Sequence, residues 1–369
     1  MFLFNELIFL LPLIIYAYLR IARLIPGRLG KIGFTVFFIF VVTGYPVAET
    51  LSHDVWPGWT KILILAGYYC LPFMLYLVLI VILSDFIIAA LRLLNVISRE
   101  TAGSPRFRAG WLSVLLGAPA LIVILGIVNY RHLQVRAYSI EVPRKSSSIG
   151  HLKIVFAADF HLGEITAGRF MEGFVEKVNA LDPDLVLIGG DILEGDRRDE
   201  DASRFEAQFR RIRARYGVYG VPGNHESHSG RKSDLFEKAG IRLLQDAVEK
   251  IDNAFYLAGR NDGHSGSRMP VAELLRDTPD DLPVILMDHR PTDLDAVSRS
   301  IADIQLSGHT HNGQLFPINL ITRRRYELSW GYLKKRQTHF FVTSGIQLWG
   351  PPVRTAGASE VLAIDVVFR

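Results

Sequence analysis

The stretch LKIVFAADFH, residues 152–161, joins a mostly apolar run to two side chains that can bind metal ions. A short apolar run without helical periodicity indicates a strand that is buried on both faces. Asp159 and His161 follow this run directly. Because alternate residues of an extended chain point to the same side, these two side chains are expected to serve one site. The same spacing recurs at His309 and His311, which gives the same expectation.

Further apolar runs in the C-terminal part of the chain extend this pattern. Strands are predicted at residues 184–189, 216–221, 283–287, 301–306, 339–343 and 360–368. Amphipathic segments between them predict helices at residues 169–180, 203–215, 232–239 and 292–298. The alternation predicts a layered α/β domain whose sheets are covered by helices.

Metal-binding residue types follow five of the predicted strands. The set comprises Asp159, His161, Asp191, Asn224, His289, His309 and His311. A mixed set of oxygen and nitrogen ligands suits Mn, Fe, Zn or Ni, and it is too large for one tetrahedral ion. The sequence therefore predicts two divalent ions. Asp191 follows two glycines, which permit close backbone approach, and is the expected bridge between the ions.

His225 is expected to have a different role from its neighbour Asn224. Two consecutive residues cannot easily face the same ion, so Asn224 is expected to bind metal and His225 to face the substrate. There His225 would act as a general acid or stabilise negative charge. For Glu226 and Asp288 two interpretations stay open, namely orientation of neighbouring imidazoles or simple solvation at the surface.

The motifs D-x-H, G-D, G-N-H-E, H and G-H-x-H, in this order, resemble the calcineurin-like metallophosphoesterase superfamily. The resemblance covers residues 152–369 and implies a four-layer α-β-β-α sandwich with a dinuclear site at its edge. It implies two ligand sets that share one carboxylate and leave His225 as the acid. These sets are Asp159, His161, Asp191 and His311 for one ion, and Asp191, Asn224, His289 and His309 for the other.

Three further runs, residues 308–314, 343–345 and 351–352, resemble a membrane-associated phosphodiesterase branch of that superfamily. Members of this branch carry hydrophobic segments ahead of the catalytic domain. The branch commonly has glycine where this chain has Asn312. That departure leaves the implied metal ligands intact, but it affects the fine assignment of substrate.

The first 130 residues differ in composition from the rest. They contain 9 basic and 5 acidic side chains, whereas the remaining 239 residues contain 32 of each. Four apolar stretches have about the 20 residues that cross a bilayer, at residues 2–19, 32–51, 62–83 and 111–130. The sequence predicts a transmembrane helical domain at residues 1–132, with about four spans, a linker at 133–151 and the catalytic domain at 152–369.

The loops between the predicted spans differ in basic residues. The first and third loops contain Arg20, Arg23, Arg28, Lys31, Arg92, Arg99, Arg106 and Arg108, whereas the second has only Lys61. The positive-inside rule then predicts a multi-pass protein whose catalytic domain lies outside the cytoplasm. Four basic residues after the last span favour the opposite orientation, namely Arg131, Arg136, Arg144 and Lys145.

Charge and cysteine content exclude several classes of protein. Residues 131–369 have no net charge, which argues against a nucleic-acid partner, because such domains need a basic surplus. Cys70 is the single cysteine and excludes disulfides and a Cys-His catalytic pair. The basic and aromatic segment 322–336 is expected to contact anionic lipid, with Arg323, Arg324 and Arg325 as substrate-binding residues. The alternative for this segment is a solvated hairpin.

These observations predict a membrane-anchored phosphoesterase with two divalent ions. Manganese is the first expectation, and zinc, iron, nickel or magnesium are alternatives. Two cations lower the pKa of a bridging water, so hydroxide is expected to attack a phosphodiester or pyrophosphate bond. A membrane lipid or lipid-linked phosphate is the expected substrate. The alternatives are a tethered enzyme for soluble phosphoesters or nucleotides and, more remotely, a scaffold without catalysis.

Overall fold

The computed structural model of the protein describes residues 2–52, 59–163, 168–193, 199–229, 232–263 and 268–369. The chain divides into two compact units. One comprises Met1–Val128 and Gly350–Thr355, and the other comprises Asn129–Trp349 and Ala356–Arg369.

The first unit is helical. Its helices are α1 (Phe2–Ala22), α2 (Arg28–Ser52), α3 (Thr60–Leu93), α4 (Arg99–Gly103) and α5 (Pro105–Arg131), whose last residues belong to the second unit. Helices α2, α3 and α5 are long and apolar enough to cross a bilayer. In α1 the described apolar stretch, Leu10–Ala22, is shorter. The structure therefore supports three of the four predicted spans, and the first span stays a prediction.

The helices of this unit pack through a shared apolar core and one close crossing. Ile14, Phe38, Leu77 and Leu115 represent α1, α2, α3 and α5 in that core. At the crossing of α2 and α3, a Cβ atom added to Gly67 would collide with the carbonyl oxygen of Gly44. Small residues thus allow two backbones to approach closely, as in other membrane helix pairs.

The segment Gly350–Thr355 belongs to the helical unit although it comes from the C-terminal part of the chain. The backbone N–H of Arg354 donates to the carbonyl of Gly126 in α5 at 3.0 Å. Arg354 is completely buried. Val353 packs closely against Gly126, because a Cβ atom added to Gly126 would lie 2.6 Å from Cγ1 of Val353. The sequence prediction grouped this segment with residues 152–369, and the structure places it elsewhere.

The second unit contains twelve described strands in two sheets. The strands are β1 (Leu133–Val142), β2 (His151–Ala157), β3 (Leu185–Ile188), β4 (Val218–Gly220), β5 (Arg242–Leu243), β6 (Ala247–Ile251), β7 (Phe255–Gly259), β8 (Val284–Met287), β9 (Ile304–Ser307), β10 (Gly331–Lys335), β11 (Thr338–Val342) and β12 (Ser359–Phe368). One sheet has the order β1-β12-β2-β3-β4-β5, and the other has the order β10-β11-β9-β8-β7-β6.

Helices lie outside both sheets. They are α6 (Gly168–Ala180), α7 (Asp199–Phe209), α8 (Asn224–Ser229), α9 (Lys232–Lys238), α10 (Val271–Leu274), α11 (Leu294–Val297) and α12 (Ile318–Arg325). One apolar core lies between the two sheets and contains Phe156 of the first sheet and Leu306 of the second. Two outer cores cover the opposite faces, one with Phe174 of α6 and one with Val297 of α11. The predicted four-layer α-β-β-α sandwich is confirmed.

Residues 133–142 differ from the sequence prediction, which assigned residues 133–151 to a linker. Strand β1 pairs in parallel with β12 over all ten residues, from Leu133 opposite Ser359 to Val142 opposite Phe368. Its side chains alternate between partly buried and exposed, as expected of a strand at a sheet edge. The exposed polar residues of this strand favoured its assignment to a linker.

The strand directions determine where the functional residues meet. Strands β2, β3 and β4 are parallel neighbours in one sheet, and β8 and β9 are parallel neighbours in the other. Parallel strands have their carboxyl ends at the same edge, and such edges are the usual location of ligand sites in open α/β sheets. The residues that follow these five strands therefore lie close together.

Candidate metal centre

Among the residues that the structure describes, three overlapping groups of side chains could each hold a metal ion. In each group one ligand atom per residue lies within 4.8 Å of the others, and the groups are Asp159, His161 and His311; His161, Asp191 and His225; and Asp191, His289 and His309. His161 and Asp191 occur in two groups each. Such sharing is what a pair of adjacent ions requires.

Asp191 lies at the middle of the cluster. Its Oδ2 atom is 3.2 Å from Nε2 of His289 and 3.8 Å from Nε2 of His161. Nδ1 of His289 is 2.7 Å from the carbonyl oxygen of Gly189, so Nδ1 carries the proton and donates to it. Nε2 of His289 is therefore the ring nitrogen that faces the cluster, in the arrangement typical of a metal-binding histidine.

The other end of the cluster contains Asp159, His161 and His311. Nε2 of His311 is 3.1 Å from Nε2 of His161 and 3.8 Å from Oδ1 of Asp159. The carboxylate of Asp159 also accepts the backbone N–H of His309 through both oxygens, at 3.0 Å each. This contact fixes the turn after β9 against the turn after β2.

His309 and His311 contribute to one cluster but to different ligand groups. His309 is grouped with Asp191 and His289, whereas His311 is grouped with Asp159 and His161. The resemblance to the metallophosphoesterases implies this division. The extended-chain argument does not account for this division, because the two residues follow the strand rather than belonging to it.

Asn224 and His225 begin α8, directly after the loop that follows β4. The backbone N–H of His225 donates to Oδ1 of Asp191 at 2.9 Å. The ring of His225 lies edge-on to that of His161, with 4.7 Å between centroids. His225 therefore lies within the cluster, and its assignment as a free acid stays a prediction that mutation can test.

The cluster has an unusual backbone that the sequence analysis missed. Five of its residues have positive φ angles: Asp159 (58°), His161 (39°), Asp191 (51°), His309 (71°) and His311 (49°). Aspartate and histidine tolerate the left-handed region better than most residues, yet such conformations still cost about 1–3 kcal/mol each. Backbone strain of this kind is typical of functional sites, where the surrounding structure holds it in place.

Glycines leave room for the two carboxylates. A Cβ atom on Gly308 would lie 2.6 Å from Oδ2 of Asp159, and one on Gly223 would collide with Oδ1 of Asp191. Neither glycine can carry a side chain without displacing a carboxylate. The sequence expectation of close backbone approach around Asp191 therefore has a structural basis at Gly223.

Glu226 positions the backbone around Asp191. Its buried carboxylate accepts the backbone N–H groups of Asp191 (2.9 Å), Ile192 (2.6 Å) and Gly223 (2.7 Å). Of the two interpretations left open by the sequence, surface solvation is wrong, because Glu226 is buried and binds main chain, and orientation of a neighbouring imidazole stays a prediction. It ties the turn after β3 to the loop after β4.

Asp288 pairs with arginines. Its carboxylate is buried and lies 2.8 Å from Nη1 of Arg260, and Arg268 also donates to it. Burial raises the pKa of Asp288, and the two guanidinium groups oppose that increase. Asp288 is therefore an ion-pair centre beside His289, so neither earlier interpretation of this residue holds.

The electrostatics of the cluster favour a divalent cation. Burial raises the pKa of Asp159 to about 6 and lowers the pKa of His309 to about 3. Burial would also raise the pKa of Asp191, but the positive charge of His289 holds it well below its usual range. A bound divalent ion would provide this positive charge and leave the imidazoles neutral, as ligands must be. The residues therefore fit metal binding.

Asn312 occupies a left-handed position, with φ 49° and ψ 34°. Glycine and asparagine are the residues that enter this region most readily. The asparagine in place of the glycine common in the resembled branch is therefore compatible with the same turn. Its side chain is buried, and its Nδ2 would lie 3.1 Å from a Cβ atom added to Gly357.

Arg323, Arg324 and Arg325 lie outside the ligand cluster. They form the last turn of α12 and are exposed. Their connection to the cluster runs through Tyr326, whose ring centroid is 6.3 Å from that of His309. Helix α12 also starts shortly after the short 3-10 turn His311–Gly313. The alternative of a hairpin over residues 322–336 is wrong, because residues 318–325 are helical and the hairpin at this point consists of β10 and β11.

Comparison with known proteins finds a matching family model and several similar proteins. Residues 152–313 match the calcineurin-like phosphoesterase family. The chain is 28% identical to a Danio rerio protein named "Transmembrane protein with metallophosphoesterase domain", covering 94% of this chain and 82% of that protein. It is 28% identical to a Campylobacter jejuni protein named as a metallophosphoesterase, covering 95% and 94%.

A Helicobacter pylori protein, also named as a metallophosphoesterase, is 31% identical over 57% of this chain. The chain spans 58% of that protein's length. The match to this family agrees with the clustered aspartates and histidines. Residues 152–313 therefore resemble the calcineurin-like phosphoesterase family, and in this chain they follow N-terminal apolar helices.

Proposed function

We propose that this chain is a membrane-anchored phosphoesterase that hydrolyses a phosphodiester or pyrophosphate bond in a lipid-linked substrate. The observation that carries the proposal is the sharing of His161 and Asp191 between ligand groups, which suits two adjacent ions. When bound, two divalent ions would supply Lewis-acid activation of the phosphoryl group and of the attacking water. Turnover by the purified chain, measured metal by metal on lipid and soluble phosphoesters, tests it.

The proposed ligand sets are those that the resemblance to the metallophosphoesterases implies. Asp159, His161, Asp191 and His311 would hold one ion, and Asp191, Asn224, His289 and His309 the other. His225 would donate a proton to the departing oxygen or stabilise its charge. Its position on α8, beside Asp191 and His161, supports that role, because a proton donor must lie within reach of the reacting phosphate.

Manganese is the metal we propose. Two carboxylates, an amide and several imidazoles form a ligand set of intermediate softness, without the thiolates that favour zinc or copper(I). Zinc, iron, nickel and magnesium are the alternatives for the metal-by-metal assay. The highest turnover with zinc at matched occupancy would contradict the choice of manganese.

Two other functions compete with this proposal. A tethered enzyme for soluble phosphoesters or nucleotides would hydrolyse those substrates and leave lipid phosphoesters intact. A scaffold would bind metal and hydrolyse neither class. The three apolar helices favour the lipid substrate, since they bring the domain to a bilayer where such substrates are concentrated.

Replacing Arg323, Arg324 and Arg325 by glutamate is expected to weaken hydrolysis of a lipid phosphoester in anionic vesicles. Each arginine near an anionic surface contributes about 1 kcal/mol, so the triple change should lower the rate by about 10²-fold at low salt. Added salt should reduce the wild-type rate through screening. Hydrolysis of a small soluble phosphodiester should change little, because the ligand cluster is untouched.

A matched control is glutamate at Arg210, Arg211 and Arg213, which are also exposed and change the net charge equally. This control should retain the wild-type lipid rate. Equal loss on lipid and soluble substrates in the first variant would assign Arg323–Arg325 to maintaining the site. Unchanged rates on both would favour the soluble-substrate alternative.

We also propose that the catalytic domain lies on the extracytoplasmic side, as the loop charges predict. C-terminal reporter fusions should then be active only for a reporter that works outside the cytoplasm. Protease added to intact spheroplasts should cleave the domain. A domain that is cleaved only after the membrane is opened would have the reverse orientation.

A further inference from the structure

Helix α12 has an inverted distribution of side chains. Large apolar residues are exposed on it and just before it, with exposed fractions of 53% for Phe316 and 66% for Ile321, and Ile318 and Leu320 are exposed as well. The residue that faces inward is polar, because Asn319 is buried. A surface helix of a soluble domain usually has the opposite pattern. The arrangement is therefore unexplained by packing within the domain.

The inner side of α12 is fully occupied, so its apolar residues cannot turn inward. A Cβ atom on Gly313 would lie 2.6 Å from Cα of Asn319, which shows that the helix backbone packs directly against the turn containing His311. Leu315 is buried beneath the start of the helix. The four exposed apolar residues thus form a fixed outer patch, hereafter the α12 patch (Phe316, Ile318, Leu320 and Ile321).

The sequence that contains the α12 patch carries charge of one sign. No acidic residue occurs between Gly308 and Tyr326, and the three consecutive arginines at 323–325 end the helix. The next acidic residue, Glu327, accepts a hydrogen bond from Lys335 at 2.7 Å. Exposed apolar side chains with a flanking arginine cluster are the composition of helices that lie in an anionic lipid interface.

We propose that the α12 patch inserts into the surface of an anionic bilayer, with Arg323, Arg324 and Arg325 at the level of the lipid headgroups. The turn His311–Gly313, which carries one predicted metal ligand, then lies next to those headgroups. Insertion would bring a lipid-linked phosphate to the ligand cluster, and this consequence rests on the proposed function. A protein partner or a second copy of this chain is the competing occupant.

Depth measurement in lipid tests the insertion directly. Cys70 is the single cysteine, so Cys70→Ala gives a background in which Ile321→Cys can be labelled with an environment-sensitive fluorophore. The full chain is placed in nanodiscs of phosphatidylcholine with phosphatidylglycerol, and doxyl-labelled lipids serve as quenchers. The label at residue 321 should shift to the blue and be quenched. Glu172→Cys, at an exposed site of α6 on the opposite side of the domain, is the matched control and should show neither.

Each outcome has a defined meaning. Emission at residue 321 equal to that of the control would overturn the proposal. A blue shift that persists in detergent without nanodiscs and disappears on dilution would assign the α12 patch to a second copy and would also overturn it. A quenched label without lipid hydrolysis would support insertion and reject the lipid substrate. Lipid hydrolysis with an unquenched label would support the lipid substrate and reject insertion.

A second variant measures the consequence for turnover. Ile321→Ser should lower hydrolysis of a lipid phosphoester in these nanodiscs about tenfold or more, because exposed apolar surface no longer enters the lipid. Hydrolysis of a small soluble phosphodiester should stay at the wild-type rate. Equal rates of the variant and the wild type on the lipid substrate would contradict the proposed insertion.

Discussion

Asp191→Asn is expected to lower hydrolysis at least about a thousandfold, which corresponds to about 4 kcal/mol of transition-state stabilisation. Asp191 belongs to two of the three ligand groups, and its Oδ2 faces both His161 and His289. The neutral amide removes the charge that would hold two cations together. Metal analysis of the purified variant should therefore show fewer than two ions, alongside the lost turnover.

The substitution should leave the fold intact. The asparagine oxygen can still accept the backbone N–H of His225, and Glu226 still binds the surrounding main chain. Asp184→Asn is a matched control, because Asp184 lies just before the same strand, β3, and accepts the N–H of Lys153 at 2.8 Å. Turnover of Asp191→Asn within tenfold of wild type, with two ions bound, would reject the bridging assignment.

His225→Ala is expected to retain metal and to lower kcat by about 10²–10⁴-fold, the usual effect of removing a general acid. Asn224→Ala should instead weaken the binding of one ion. The two neighbours separate catalysis from metal binding because they begin α8 with different proposed targets. Metal titration and turnover on a soluble phosphodiester measure both effects.

His151→Ala provides the control for the histidine change. His151 is half exposed and lies 3.4 Å from Asp365, away from the described ligand groups. Its removal should leave both metal content and kcat unchanged. Stoichiometric loss of one ion in His225→Ala would make His225 a ligand, which its grouping with His161 and Asp191 also permits.

The clustering of the aspartates and histidines could be predicted because the sequence shows both where strands end and which residue types follow them. The reason given for pairing Asp159 with His161 was nevertheless incorrect. Both residues have positive φ angles and are not extended, so their side chains converge through tight turns. The sequence indicates only weakly whether an aspartate adopts a positive φ angle, because the neighbouring loops determine its conformation.

The role of Glu226 could not be predicted for a related reason. Its partners are main-chain N–H groups, and two of the three lie more than thirty residues away along the chain. Nearly every residue has a main-chain N–H donor, so residue types do not reveal which of these donors a carboxylate will bind. The position of Glu226 two residues after Asn224 was visible, but its target required the three-dimensional fold.

Helix α12 was missed because it is short and lacks the usual apolar period on its inner side. Only Asn319 of its residues is buried, so a search for inward-facing apolar residues finds none. The arginines themselves were noticed as a possible lipid contact. The apolar half of that surface, including Phe316 and Ile321, became apparent only from their exposure in the folded chain.

The pairing of β1 with β12 determines where a separate catalytic fragment has to begin. A fragment cut at residue 152 would leave ten residues of β12 with an unpaired hydrogen-bonding edge, which is a template for aggregation. It would also lose the hydrogen bond from Ser359 to the carbonyl of Tyr130, at 2.8 Å, and that from Asn129 to Gly357, at 3.0 Å. The expression boundary that preserves the sheet is therefore residue 129, inside α5.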